Sequence, residues 1–232
     1  ALLLAAASVP QSSFFTISDI RIEGARHVAP PDLQARTGLR LGAPVFGVSV
    51  EEIARRIAAH PRIRSVAVGI TPAGRVTIRV DERSAAAAIR YQDRFVVVDR
   101  SGVAIAERAD PGGLPVIATG GGELPWMRLG TAVPSSAVPA SIEALAQLPA
   151  ELPRAGLTLR RGPAGDLSIV TADRIVMRLG SSRGLAERTA MLPEILAALR
   201  ARRLAVDYLD LRFTGNVIVK PATDGAGAGV KP

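Results

Sequence analysis

The chain contains no cysteine. That excludes disulfides, thiolate metal sites and a cysteine nucleophile, and it suits either side of a membrane. Histidine is nearly absent too: His27 and His60 are the only two in 232 residues, too few to build a metal site alone. Aromatics make up 3% of the chain, so Ala, Val, Leu and Ile do most of the packing. No run of Lys and Arg reaches five residues, and no aromatic lies between clustered basics, which argues against a nucleic-acid platform. The nucleophile spacing GxSxG occurs once, at 180–184, but no further sequence context marks its serine as a nucleophile. The "GGG" at 120–122 lacks the following Lys-Ser/Thr of a phosphate loop. Nothing marks out the facing carboxylates of a glycosidase. These absences point away from catalysis and toward a binding or scaffold protein, for which no cofactor and no metal are expected.

What is present is apolar and basic. Hydrophobic residues are 48% of the chain, enough for a substantial core. The formal charge of +8 reads either as a solubilised surface or as attraction to an acidic partner such as a membrane surface, a wall polymer or a protein. The amino end, "ALLLAAASVP", is strongly apolar but covers only about half of the ~20 residues that span a bilayer. Residues 1–13 are therefore read as the outer end of a membrane anchor or signal segment, plus linker. A short buried helix is the alternative.

The rest divides into two parts with different rhythms, an α+β chain in all. "FFTISDIRIEGARHV" alternates like a strand, and "PPDLQARTG" has the prolines and terminal glycine of a short helix. "SVEEIARRIAAHP" opens on a capping box, Ser49 with Glu52, and carries Ile53 and Ile57 one turn apart. "IRSVAVGI" and "RVTIRVDER" are strands joined by "TPAG". Residues 14–83 thus read β-α-α-β-β, with both helices covering one face of a small sheet. Asp81-Glu82-Arg83, at the end of that unit, is assigned a structural ion-pairing role.

From residue 84 to 221 the pattern becomes a mostly antiparallel sheet with packed helices. "AAAAIRY", "RFVVVDRSGVAIAE", "GLPVIA" and "GLTLRRGPAGDLSIVTADRIVMRLG" are short strands with "RSG" and "PAGD" as hairpin turns. "VPASIEALAQL" is a helix. "SSRGLAERTAMLPEILAALRARR" is a second, kinked or split at Pro193. "AVDYLDLRFTGNVIVKP", 205–221, reads as a last strand. Leu209, Leu211 and Phe213 are expected to face the core, with Tyr208, Asp210 and Arg212 outward. Thr214-Gly215-Asn216 forms a bulge or kink, and 217–219 continue the edge. Asp210 and Arg212 are read as a cross-strand ion pair that fixes register. Residues 222–232 are Gly- and Ala-rich and expected to be disordered.

Taken together, "IRIEGARHV", "GAPVFGVSVEEIARRIAAHPRIRSVAV" and "RVTIRVDER" resemble the POTRA domain of the bacterial cell-division family FtsQ, called DivIB in Gram-positive bacteria. The second part is similar to the same family through "VVDRSGV", "LPVI", "LGSSRGLAER" and the ending "YLDLRFTGNVIVK". The resemblance covers about 14–221. It departs from the family where Ala85 stands in the region of a usual proline, and where no aromatic lies near Pro221.

The resemblance implies a single-pass protein of the cytoplasmic membrane, with these two domains outside it, at the division septum. It implies a non-catalytic scaffold that binds an FtsB/FtsL-type complex and so regulates septal peptidoglycan synthesis, with no small-molecule substrate. An edge strand followed by a loose tail suits strand addition by such a partner. The residues assigned to that contact are Phe213, Thr214, Gly215, Asn216, Val217 and Val219. Arg183 is carried over by motif position, as a cation for an acidic partner segment. The alternatives are a POTRA-bearing component of outer-membrane assembly or secretion, and a secreted wall hydrolase.

Overall fold

A computed structural model describes residues 15–118, 127–213 and 215–222. Both the amino-terminal apolar stretch and the Gly-Ala tail assigned to disorder lie outside the described residues, apart from Ala222. The chain divides into two compact units, Ala1–Arg83 and Ser84–Pro232.

In the first unit, β1 (Asp19–Glu23) is followed by α1 (Pro30–Thr37), α2 (Val50–Ala58), β2 (Ile63–Ile70) and β3 (Arg75–Glu82). The sheet order is β1-β3-β2, with β1 and β3 parallel and β2 antiparallel to β3. Alternation in β3 buries Val76, Ile78 and Val80, which join Leu33 of α1 and Ile53 and Ile57 of α2 in one core. The first strand is shorter than its alternating sequence suggests, because the chain at 16–17 leaves the sheet to pair with the loop before α2. Ile17 N donates to Ala43 O at 2.8 Å, and Thr16 bridges Pro44. The turn between β2 and β3 tolerates only glycine at 74. Its φ is +77°, and a Cβ there would meet the Thr16 carbonyl oxygen at 1.8 Å.

Half of the expected capping box forms. Ser49 Oγ accepts from Glu52 N at 3.1 Å. The Glu52 carboxylate instead takes Arg55 and Arg56, one turn onward, and these neighbours hold its pKa below the usual range.

Glu82 finds its partners far away in sequence. Its side chain is 5% exposed and reaches back to the loop before α1. It accepts from the backbone N–H of Arg26 (2.9 Å), His27 (2.9 Å) and Val28 (3.1 Å), and lies 3.0 Å from His27 Nδ1. Burial pushes its pKa up, but the hydrogen bonds outweigh burial and leave it lowered. Its contribution to stability is present at neutral pH and is lost as pH falls through the lowered value. Glu82→Gln is expected to cost the first unit about 1–2 kcal/mol at pH 7. In urea titrations the gap between variant and parent should close at acid pH. A gap that persists would overturn this account.

The second unit contains β4 (Ala85–Tyr91), β5 (Arg94–Asp99), β6 (Ala104–Arg108), β7 (Val116–Ala118), α3 (Ala137–Gln147), β8 (Thr158–Arg161), β9 (Leu167–Val170) and β10 (Val176–Gly180). It continues through α4 (Leu185–Thr189), α5 (Leu192–Ala201), β11 (Val206–Asp210) and β12 (Ile218–Pro221). One nine-stranded sheet results, in the order β12-β11-β10-β9-β8-β7-β4-β5-β6. Most neighbours are antiparallel. The parallel pairs are β4-β7, β7-β8 and β10-β11. Helices provide two of the crossovers that parallel pairing demands: α3 between β7 and β8, and α4-α5 between β10 and β11. Their apolar stripes, including Val138, Ile142, Leu185, Leu192, Leu196 and Leu199, share a core with Ile89, Val98, Leu159, Ile169, Met177 and Leu209 of the sheet. Pro193 splits the expected long helix. It sits in the first turn of α5, where its missing N–H costs nothing.

Asp99 of "VVDRSG" is fully buried. Its Oδ1 accepts from Ser101 N at 2.8 Å and Val103 N at 3.0 Å, closing the β5-β6 turn from inside. The "GGG" at 120–122 lies outside the described residues.

Candidate functional site

The segment read as one last strand, 205–221, is a hairpin. β11 runs parallel to β10 and β12 returns antiparallel to β11, leaving β12 as the terminal strand of the sheet. The break is chemical. Leu209 and Leu211 anchor in the core, and Gly215 adopts φ +81°, a conformation that reverses the chain at little cost.

Register assigns the faces. Leu209 opposes Met177 and Val219, so Val219 leans toward the core side. Tyr208 opposes Val176 and Lys220, and Asp210 opposes Arg178 and Ile218; these lie on the open side. Tyr208 is flanked by two cations. The Arg178 guanidinium lies 4.3 Å from the ring centroid and Lys220 Nζ 5.4 Å. Lys220 also pairs with Asp207 at 2.7 Å.

The sequence expectation fails at Phe213. It is 54% exposed rather than in the core, because β11 ends at Asp210 and Phe213 opens the reversing turn, its carbonyl accepting from Asn216 N at 3.3 Å. Asp210 also differs. It lies on the open side yet is only 3% exposed. Arg212 covers it, donating from Nε to Oδ1 at 2.9 Å and from Nη2 to Oδ2 at 2.6 Å, while Arg212 N donates to Oδ1 at 3.1 Å. This bidentate contact, above all, holds the Asp210 pKa below the ordinary aspartate range. The pair lies within one chain segment two residues apart, not across strands. It ties the start of the 211–217 loop to the end of β11.

Arg183 is exposed, in the turn that leaves β10 ahead of α4. Arg188 fixes that turn by donating to the carbonyls of Leu179 (3.0 Å), Ser181 and Arg183. Because β10 and β11 are parallel, this turn and the 211–217 loop lie at the same end of the sheet. A Cβ at Gly180 would stand 3.2 Å from Arg212 Cγ.

Of the other residues assigned to the contact, Gly215 and Asn216 are exposed and Val217 is half-buried against the core. Thr214 lies outside the described residues. Two residues left out of the assignment belong beside them: Ile218, 49% exposed, and Tyr208 between its cations. The alternation of "VIVK" carried the signal for Ile218. Pairing of Tyr208 with Arg178 needs the register of β10 on β11, which local sequence does not contain. Among the described residues no group of three or more His, Asp or Glu is placed to hold a metal, and no helix is long and apolar enough to cross a membrane.

Comparison with known proteins decides the family. Residues 15–83 match the model of the FtsQ-type POTRA domain. Residues 87–212, more than half of the chain, match that of the cell division protein FtsQ/DivIB C-terminal region. The chain belongs to the FtsQ/DivIB family of cell-division proteins. The cell division protein FtsQ of Streptomyces collinus is 26% identical over 222 residues, covering 93% of this chain and 80% of that protein. DivIB of Clostridium acetobutylicum is 24% identical over 121 residues, 52% of this chain and 49% of the relative. FtsQ of Caulobacter vibrioides is 30% identical over 104 residues, 45% and 34% respectively. The trans isomer of the major extracytoplasmic domain of DivIB from Geobacillus stearothermophilus overlaps 52% of this chain and 97% of its own. Its TM-score is 0.37 at 18% identity, too loose a likeness to carry weight. Membership gives the chain a role in cell division. The family match ends at Arg212, so the hairpin's outer strand lies past it.

Proposed function

We propose that this chain is a non-catalytic scaffold of the divisome that binds an FtsB/FtsL-type complex at β12. The single observation behind this reading is a terminal strand that pairs on one side with β11, carries no strand on its other side among the described residues, and exposes apolar side chains. Ile218 and Val219 stand at 49% and 40% exposure beside Phe213, where a soluble sheet would ordinarily place charge. Pro221 closes the strand without an N–H, as edge strands permit. A partner strand pairing with β12 would draw affinity from the backbone and specificity from alternate side chains. Phe213, Thr214, Gly215, Asn216, Val217 and Val219 form the contact in this reading. Arg183, at the same end of the sheet, meets an acidic partner segment. Residues 1–13 belong to a single membrane anchor, with both units on the extracytoplasmic side at the septum.

Hydrogen exchange on the complex with FtsB/FtsL-type coiled-coil partners tests the mode. The β12 amides should gain protection together with amides of the incoming segment. Binding without protection of β12 would replace strand addition with side-chain docking, and absence of binding would overturn the reading.

A further inference from the structure

A second exposed apolar patch lies on the first unit. Phe15, Leu41 and Phe46 are 48%, 64% and 73% exposed, and the rings of Phe15 and Phe46 touch, with centroids 5.0 Å apart. The loop that carries Leu41 and Phe46 is pinned rather than loose. Gly42 N donates to Ile17 O and Val45 N to Phe15 O, each at 2.8 Å. Arg40, from the same loop, is exposed. Exposed aromatic pairs on rigid loops mark contact surfaces.

We propose that Phe15, Leu41 and Phe46 rest in the interface of the bilayer, with Arg40 at the lipid phosphates. This rests on the reading of residues 1–13 as the outer end of a membrane anchor. The argument is one of reach. After the apolar run that ends at Val9-Pro10, only residues 11–14 precede Phe15. Five steps of at most ~3.6 Å keep Phe15 within roughly 18 Å of the run's end, and the headgroup layer itself occupies about 5–8 Å. The patch therefore cannot leave the membrane's neighbourhood. A tether this short converts weak insertion into an intramolecular event. Phe and Leu at headgroup depth beside a basic residue are the residue types that monotopic contacts use.

The test uses the full-length protein in vesicles of phosphatidylcholine and phosphatidylglycerol, with and without brominated acyl chains. Trp126 is the only tryptophan, so Phe46→Trp in a Trp126→Phe background reports the patch alone. Blue-shifted emission, quenched at least about twofold by bromolipid and relieved by adding Phe15→Ser and Leu41→Ser, is the expected result. Solvent-like, unquenched emission from protein that still floats with the vesicles overturns the patch while sparing the anchor. A blue shift that grows with protein concentration without bromine quenching assigns the patch to a second copy and also overturns it. Protein that does not float at all overturns the anchor and the patch together.

Discussion

Replacing Ile218 and Val219 together by lysine is expected to weaken binding of an FtsB/FtsL-type complex about 100-fold or more, equivalent to roughly 2.7 kcal/mol. Both side chains are at least 40% exposed, so the folded unit should melt where the parent does. The expected loss has two sources. Lysines on an edge impose desolvation on any strand that pairs there, which is how soluble sheets ordinarily block such edges. They also remove apolar contact area that the partner would cover. Phe213→Ala should weaken binding less, because it removes one anchor but leaves the edge open. Titration calorimetry with the coiled-coil partner checks both. An affinity within twofold of the parent for the double variant would sink strand addition at β12.

Asp210→Ala is expected to destabilise the second unit by about 2–3 kcal/mol, since it deletes a buried carboxylate that satisfies both a guanidinium and a backbone N–H. Stability and binding should fall together here, unlike in the edge variant, because the same carboxylate ties the 211–217 loop to β11. The effect has a defined pH window. With its pKa lowered chiefly by the Arg212 hydrogen bonds, Asp210 contributes fully above the ordinary aspartate value of about 4, and the contribution fades as pH falls through the lowered value. Urea midpoints of parent and variant should therefore differ at pH 7 and converge in acid. Equal midpoints at pH 7 would show that Arg212 covers Asp210 without stabilising the fold.

The two variants separate the edge proposed to make the contact from the brace that would present it. That division was only partly legible in the sequence. "YLDLRF" reads as a strand with a charged pair, and Leu209 and Leu211 are indeed core residues. Alternation has no means of announcing where it stops. Phe213 keeps the period and yet lies outside, since Arg212 has folded back over Asp210 and the chain has begun to turn. The Asp-Arg pair was visible as composition, while its geometry, along the segment rather than across strands, was not. Glu82 teaches the same lesson. Its acidity is in the sequence, but its partners at 26–28 lie more than fifty residues away.

Local sequence by itself determined most of the element types, the break in the long helix at Pro193 and the family, because propensity, periodicity and proline chemistry act within a few residues. Only the tertiary structure decided which strand ends the sheet and which side chains share a face. Strand order and register are set by long-range pairing and by the burial of a common core, and no stretch of seventeen residues contains that information.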